Sequence, residues 1–505
     1  MKKDTTDFAA EMRERFKAAS DAVAHDHEAA VEDLEFLNGN QWDAKDIAAR
    51  TQANRPMLTI NRLPGFLDQI IGDQRQNRPS IKVRPVDSDS DPEIAKVHEG
   101  MIRNIEYQSD AEYIYDTCLE QAASCGFSFF RILTDYDASM SFTQEIKLRH
   151  IPNQFSVYFD PEAVLPNKED ARYGFIIEEI DEAEFETRYP GKEKHNFEQS
   201  GSFDGWYGQE KYRIAEYFVK KPKNKKIALL SDGRTMDKDK ADTTIALTVM
   251  QEGQEPLSIV KERESVITEI EHYHMAGNAI LKGPTKWEGT MIPIIEVEGK
   301  VITIKGKRYR RSLIRNAKDP QKMYNYWQSV IAETIALVPK TPYIISCEQI
   351  EGYEDEWNTA GTRNLPYLRY KESAAGKPTR EPMASLPTGA FNQAQVAIDD
   401  MKATTGIFAA SLGNQGNETS GKAIMARQRE GDVANFAFID NLRRAIAYAG
   451  KQIVELIPKI YDTEKVVRII GVDKTESFMP VNMEAGKVVQ MAQANPGRFK
   501  GIDPR

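Results

Sequence analysis

The 505-residue chain carries 67 Lys and Arg against 77 Asp and Glu, a formal net charge of -10, with hydrophobic types at 40% and charged types at 29%. That is material for several packed cores, roughly three domains of ordinary size, yet it lacks the global basic footprint of a protein that grips nucleic acid. No apolar run approaches the ~18 residues of a membrane span. Neither the start, MKKDTTDFAAEMRERF, nor the three scattered cysteines (Cys118, Cys125, Cys347) mark a secretory signal or a disulfide framework, so synthesis in a reducing cytoplasm and buried reduced thiols at Cys118 and Cys125 are expected.

Residues 5–37, rich in Ala, Glu, Leu and Arg without Pro or Gly, read as a helix that NGNQW (38–42) ends. Residues 61–77 read as helix again after Pro64, SIKVRPV (80–86) alternates like a strand, and 92–126 is one more helical stretch before the strand-like FSFFRILTDY. From about 142 to 310 the chain breaks into short β-type runs, EIKLRHI, YGFIIEEI, YRIAEYFV, ESVITEIEHYHM, IPIIEVEG and KVITI, between turn clusters. The fold class is α+β with a mixed, β-rich body.

After Asp319 the pattern changes. Asp319 suits an N-cap and Pro320 the first helical position, and Tyr324, Trp327, Ile331, Thr334 and Val338 form one stripe on a helix that Pro339 ends. A second stripe runs through Phe391, Ala394, Ile398, Met401, Thr405 and Phe408, and a third through Ile439, Leu442, Ile446, Ala449, Ile453 and Leu456. The third helix extends from near Lys422 to Ile457, roughly 54 Å at 1.5 Å per residue, with Gly431 a candidate kink and Pro458 its stop. Between the first two lies a polar module (341–389) with two short β-type runs, and KVVRIIGVD (465–473) forms a β-type tail.

GNQGNETSGKAIM (413–425) places Gly416, Gly421 and Lys422 at the spacing of a phosphate-binding loop. Ala423 stands where Ser or Thr should hold Mg²⁺, and a helical pattern precedes the loop instead of a strand. It therefore reads as a polar loop entering a helix, with Thr419 or Ser420 as the cap. DSDSDPE (87–93) has calcium-loop spacing but offers Pro92 where Gly is needed and His98 where a bidentate Glu is needed. His272 and His274 share one face of a strand with Glu271 on the other, so a metal would need a third ligand from elsewhere. Asp399 and Asp400 are adjacent and do not share a helix face. GKRYRRSLIR (306–315) is the densest basic segment, either an anion or nucleic-acid contact or an intersubunit or capsid-facing surface. No catalytic, cofactor-binding or metal-binding set is expected.

Three segments together, RPMLTINRLPGFLDQIIGDQRQNRPSIKVRPVD (55–87), AKDPQKMYNYWQSVIAETIALVPKTPYII (317–345) and TTGIFAASLGNQGNETSGKAIMARQREGD (404–432), resemble portal proteins of tailed bacteriophages, most closely the short-tailed-phage type with a C-terminal extension. The resemblance implies a non-enzymatic, twelve-fold ring at one capsid vertex through which double-stranded DNA is packaged, retained and ejected. It implies a wing (1–317), stem helices (318–340 and 390–405) flanking a small α/β clip (341–389), a tunnel loop (406–421), a long kinked wing helix (422–460), and a β-type tail with the start of a crown (461–505). Relatives of this type continue into a helical crown and barrel, and this chain ends at GIDPR.

The resemblance also assigns roles. Gly413, Asn414, Gln415, Gly416, Asn417, Glu418, Thr419 and Ser420 would line the DNA channel, with Lys422 and Arg427 as candidate DNA or anion contacts. Arg363, Lys371, Lys377 and Arg380 would present the clip to the terminase large subunit and then the head-to-tail adaptor. The other implied partners are further copies of the chain and the major capsid and scaffolding proteins, with no membrane, and the implied location is the virion's portal vertex. The alternatives are a packaging NTPase using Gly416, Gly421 and Lys422, or another head-to-tail adaptor ring.

Overall fold

The computed structural model describes residues 2–85, 92–136, 142–192, 211–231, 233, 235–249, 257–277, 279–337, 343–360, 363, 365–374, 376–381, 388–407, 421–462, 465–471 and 476–483; for 2–7, 92–93, 246–249, 337, 421–435, 465, 467, 476 and 481 it describes the backbone alone. The first half contains helices α1 (Lys2–Leu37), α2 (Ala44–Gln52), α3 (Leu63–Gln76), α4 (Pro92–Gln108) and α5 (Ala111–Cys125), then strands β1 (Phe127–Tyr136), β2 (Gln144–His150), β3 (Val157–Phe159) and β4 (Tyr173–Asp181), and the short helix α6 (Glu182–Arg188). Strands β5 (Lys211–Leu230) and β6 (Thr235–Asp237), helix α7 (Lys238–Val249), and strands β7 (Ile259–Ala276), β8 (Ala279–Trp287), β9 (Ile294–Glu298), β10 (Lys300–Ile304) and β11 (Lys307–Arg311) follow. The remainder is α8 (Ile314–Leu337), β12 (Tyr343–Ile344), α9 (Cys347–Ile350), α10 (Glu354–Thr359), β13 (Thr379–Arg380), α11 (Thr388–Thr405), α12 (Gly421–Ile460), β14 (Lys465–Ile470) and β15 (Glu476–Val481).

Two antiparallel sheets form the β-rich body, one in the order β2-β1-β9 and one in the order β3-β4-β5-β7-β8 with β6 added to β5. Helix α1 ties them together, because its apolar positions recur at steps of 3 and 4. Ala9, Met12 and Ala19 are buried against Tyr158, Phe175, Tyr217 and Met275 of the larger sheet, whereas Ala30 joins Phe127 and Phe129 of β1 in a second core. The largest core gathers α3, α4, α5, β1, β2 and β9 around α8, α11 and α12.

Gly126 and Gly299 mark the tightest crossing. Gly126 has φ +105, and a Cβ on Gly299 would meet three carbonyl oxygens at 2.7 to 2.9 Å, those of Arg311, Ala122 and Gly126. The close approach lets Gly299 N–H donate to Gly126 O at 2.7 Å, while Asn441 of α12 donates to Gly299 O at 2.7 Å. The β10–β11 hairpin is thereby fixed against α5 and α12.

Several local expectations are corrected. Helix α8 starts at Ile314, so Pro320 lies inside it and Asp319 is not its cap. The earlier start is anchored by Ser312, whose Oγ accepts the Arg315 N–H at 3.0 Å, and by burial of Leu313, Ile314 and Ala317. Residues 80–85 form no strand; their alternation reflects Ile81 and Val83 facing the core, with Ile81 against Gly450. The helical stretch 92–126 is divided at Ser109 and Asp110, where Asp110 adopts φ 51. Helix α12 passes Pro458 to reach Ile460, since the ring costs a single internal hydrogen bond while Ile457 and Tyr461 stay buried. Among the described side chains of α12 the fully buried ones start at Phe438, with Ile439 half-buried.

Candidate functional site

Helix α8 buries a polar row inside its apolar surroundings. Gln321, Asn325 and Ser329, spaced four apart, are 0%, 1% and 0% exposed. They face the extended chain 57–62, where Leu58 N–H donates to Ser329 Oγ at 2.9 Å, Ile60 N–H to Asn325 Oδ1 at 3.0 Å and Arg62 N–H to Gln321 Oε1 at 3.2 Å. Four helical residues advance ~6.0 Å and two extended residues ~6.7 Å, so the two repeats nearly match and the helix completes a strand's missing ladder. Gln321 Nε2 returns a bond to Ile60 O at 2.8 Å. The signal in the sequence is Gln, Asn and Ser at i, i+4 and i+8, which places all three on one helix face.

Helices α8 and α11 pack on each other through Tyr324, Ile331, Ala390, Ala394, Ala397 and Met401. The chain leaves and re-enters this pair through a module closed by the antiparallel β12–β13 pair, Tyr343 opposite Arg380 and Ile344 opposite Thr379. At the start of α9 the Ser346 N–H donates to Gln349 Oε1 at 3.0 Å, and Lys371 N–H donates to Gln349 O at 2.9 Å. Arg363, Lys371, Lys377 and Arg380 are all exposed. Lys371 pairs with Glu351 at 3.0 Å and the Arg380 guanidinium lies over the Tyr343 ring at 5.2 Å. Residues Gly413, Asn414, Gln415, Gly416, Asn417, Glu418, Thr419 and Ser420 lie outside the described residues, as do the side chains of Lys422 and Arg427, whose backbone forms the first turns of α12. The acidic segment 87–93 also lies largely outside them.

The two histidines of EHYH do share a face of β7, and tertiary structure supplies the third group that the local sequence lacked. Strand pairing sets Glu216 of β5 opposite His274 and Phe218 opposite His272. Glu216, His272 and His274 bring ligand atoms within 4.8 Å of one another. Burial alone would raise Glu216, but the His272 ring 3.4 Å away and the Arg131 guanidinium hold its carboxyl well below the usual carboxylate range. Burial pushes His274 down to about 4. Glu271 points the other way and pairs with Lys221. Elsewhere burial pushes the Cys118 thiol up to about 12 and that of Cys125 to about 11, so neither is a thiolate nucleophile at neutral pH.

A family model described as phage P22-like portal protein matches residues 13–502. The chain belongs to this family. It is also 23% identical over 495 residues to a portal protein of Acyrthosiphon pisum secondary endosymbiont phage 1, a match covering 91% of this chain and 67% of the relative. Portal proteins are structural, non-catalytic components of phage capsid DNA packaging, and that is the role at family level.

In this portal, the first two of the three segments that carried the resemblance are the two joined by the polar row of α8. Three arginines of the basic segment 306–315 are paired within the fold, which counts against its reading as an open anion or nucleic-acid contact. Arg308 pairs with Glu298 at 2.5 Å, Arg310 with Glu296 at 2.7 Å, and Arg315 with Asp33 at 2.9 Å. Arg308 and Arg310 of β11 meet the carboxylates of β9 one short hairpin away, while Arg310 and Arg315 also reach Asp26 and Asp33 of α1, far off in sequence. Burial and the neighbouring Glu296 carboxylate push Glu298 up to about 7.

Proposed function

We propose that this portal assembles as a closed ring of twelve copies at one capsid vertex, of the short-tailed-phage type, and that double-stranded DNA is packaged, retained and ejected through its axial channel. The observation that carries the reading is the apolar surface left open on the packed helices α8 and α11. Met323, Ile335, Phe391 and Val396 are 47%, 48%, 45% and 48% exposed. A thin helix pair with apolar side chains on its outer faces is covered most simply by the same pair in neighbouring copies.

In this reading residues 1–317 form the wing, 318–340 and 390–405 the stem, and 341–389 the clip. Residues 406–421 are the tunnel loop, 422–460 the long wing helix, and 461–505 a tail leading towards a crown. Gly413, Asn414, Gln415, Gly416, Asn417, Glu418, Thr419 and Ser420 line the channel, joined by Lys422 and Arg427 as weak phosphate contacts. The net charge of -10 suits a conduit that must not hold its cargo, because tight neutralisation of phosphates would stall a moving duplex. Arg363, Lys371, Lys377 and Arg380 dock the terminase large subunit and later the head-to-tail adaptor, while the wing meets capsid and scaffolding proteins. The chain is made in the host bacterial cytoplasm and resides in the virion. Electron microscopy of the purified full chain tests the assembly. Twelve-fold rings with a channel wide enough for a DNA duplex are expected, and a stable monomer at micromolar concentration would overturn the proposal.

A further inference from the structure

A side-chain cluster lies between β1, β5 and β7. Glu216 and His274 stand directly opposite each other on paired strands, and His272, two residues before His274, projects on the same face. His272 Nε2 is buried, makes no well-formed hydrogen bond, and lies 3.4 Å from Glu216 Oε2. Two ligands at ~2.1 Å from one tetrahedral ion lie about 3.4 Å apart, so this separation is that of two ligands on a shared zinc.

The surroundings orient all three groups. The His272 ring stacks on Phe218 with centroids 4.3 Å apart and planes 7° apart, which holds its Nε2 towards Glu216. Tyr189 Oη lies 2.7 Å from His274 Nδ1, which leaves the opposite ring nitrogen, Nε2, as the donor to a metal. Arg131 of β1 holds Glu216 from the far side, Nη1 to Oε1 at 3.1 Å and Nη2 to Oε2 at 2.6 Å. Lys282 of β8 faces His274 across the adjacent strand pair and is exposed.

We propose that Glu216, His272 and His274 form a zinc-binding site that clasps β5 to β7. Two imidazoles and one carboxylate are a zinc donor set and a poor one for Mg²⁺ or Ca²⁺, which take oxygen ligands. The fourth position is open to water, since the cluster is half-buried. Glu216 Oε2 turns to the ion while Arg131 keeps Oε1 and leaves its charge beside the site. The guanidinium charge beside the ion weakens affinity, so micromolar binding is expected. The inference does not depend on the portal reading.

The test is titration of chelator-treated full chain with Zn²⁺, and with Co²⁺ as a spectroscopic substitute. One equivalent per chain is expected, with the visible absorption of four-coordinate cobalt. His272→Ala and His274→Ala should abolish it, and Tyr189→Phe should weaken it about 10- to 100-fold. Arg131→Gln, which keeps all three ligands and removes the opposing charge, should tighten binding at least tenfold and so reads the site even if a histidine variant fails to fold. No binding by the unaltered chain would overturn the proposal. So would undiminished binding in a folded double-histidine variant, or binding that Arg131→Gln leaves unchanged or weakened.

Discussion

Asn325 Oδ1 accepts the backbone N–H of Ile60 at 3.0 Å, across 265 residues of sequence, while Asn325 Nδ2 donates to Gln41 Oε1 at 2.6 Å. One buried amide thus holds the extended segment 57–62, the end of the α1–α2 connection and helix α8 together. Replacing it by alanine leaves the Ile60 N–H and the Gln41 carbonyl oxygen each short of that partner. Asn325→Ala should cost about 2 kcal/mol in denaturant unfolding, and Ser329→Ala, which loses one neutral bond to Leu58, about 1 kcal/mol. Unchanged midpoints in both would show that the ladder does not hold the segment.

Ile335 of α8 and Phe391 of α11 are 48% and 45% exposed in the single chain. Ile335→Glu and Phe391→Glu should therefore change the stability of the monomer by no more than about 0.5 kcal/mol, while an interface between copies must desolvate the new carboxylate. Sedimentation velocity should find folded monomers or small oligomers in place of a large closed ring. Normal rings from both variants would place the subunit contact elsewhere.

His27 is packed on Phe127, Phe155 and Tyr158, with ring centroids 5.4, 5.3 and 5.7 Å away. Burial, with a smaller contribution from the Arg310 charge, pushes it down to about 3. Its folded value lies below its ordinary one, so the unfolded chain takes up the proton first as pH falls. The stability it contributes is complete above pH 6.5 and is lost progressively as the pH drops towards 3. At pH 5 the loss is about 2 kcal/mol relative to pH 7.5, at ~1.4 kcal/mol per unit. His27→Phe keeps an aromatic ring and removes the titration, so its stability should fall less with acid by that amount; parallel curves for the two proteins would refute this.

Cys118 and Cys125 are buried and Cys347 is exposed. A neutral aromatic disulfide reagent should modify Cys347 alone in the native protein and all three thiols after denaturation, counted by thiolate release or intact mass. Rapid native labelling of Cys118 would mean that the packing of α5 against β1 opens readily.

Residues Gly413, Asn414, Gln415, Gly416, Asn417, Glu418, Thr419 and Ser420 include no large apolar side chain to offset the entropy of fixing one conformation. Shortening this stretch should leave ring assembly intact and reduce packaging or retention of DNA, scored by nuclease-protected genome in assembled heads. Full packaging by the shortened chain would remove the loop from the channel's working surface.

Local pattern was enough for much of the architecture. Stripes at 3 and 4 marked α8, α11 and α12 because a helix buries one face whatever it packs against, composition marked α1, and the β-type runs from FSFFRILTDY to KVITI emerged as strands. Family membership was legible as well, since three separated segments carried it before any contact was known. What local pattern could not supply was pairing at a distance. The strand register decides that Glu216 faces His274, and that Arg310 is buried against Glu296 instead of presented to a phosphate. The same holds for the start of α8, where Ser312 bonding to Asp33 at 2.7 Å and the burial of Leu313 prevail over the capping signal of Asp319 and Pro320. Hydrophobic period follows from the geometry of a single element. Charge neutralisation, ligand assembly and helix ends depend on which elements meet, and that is a property of the folded chain as a whole.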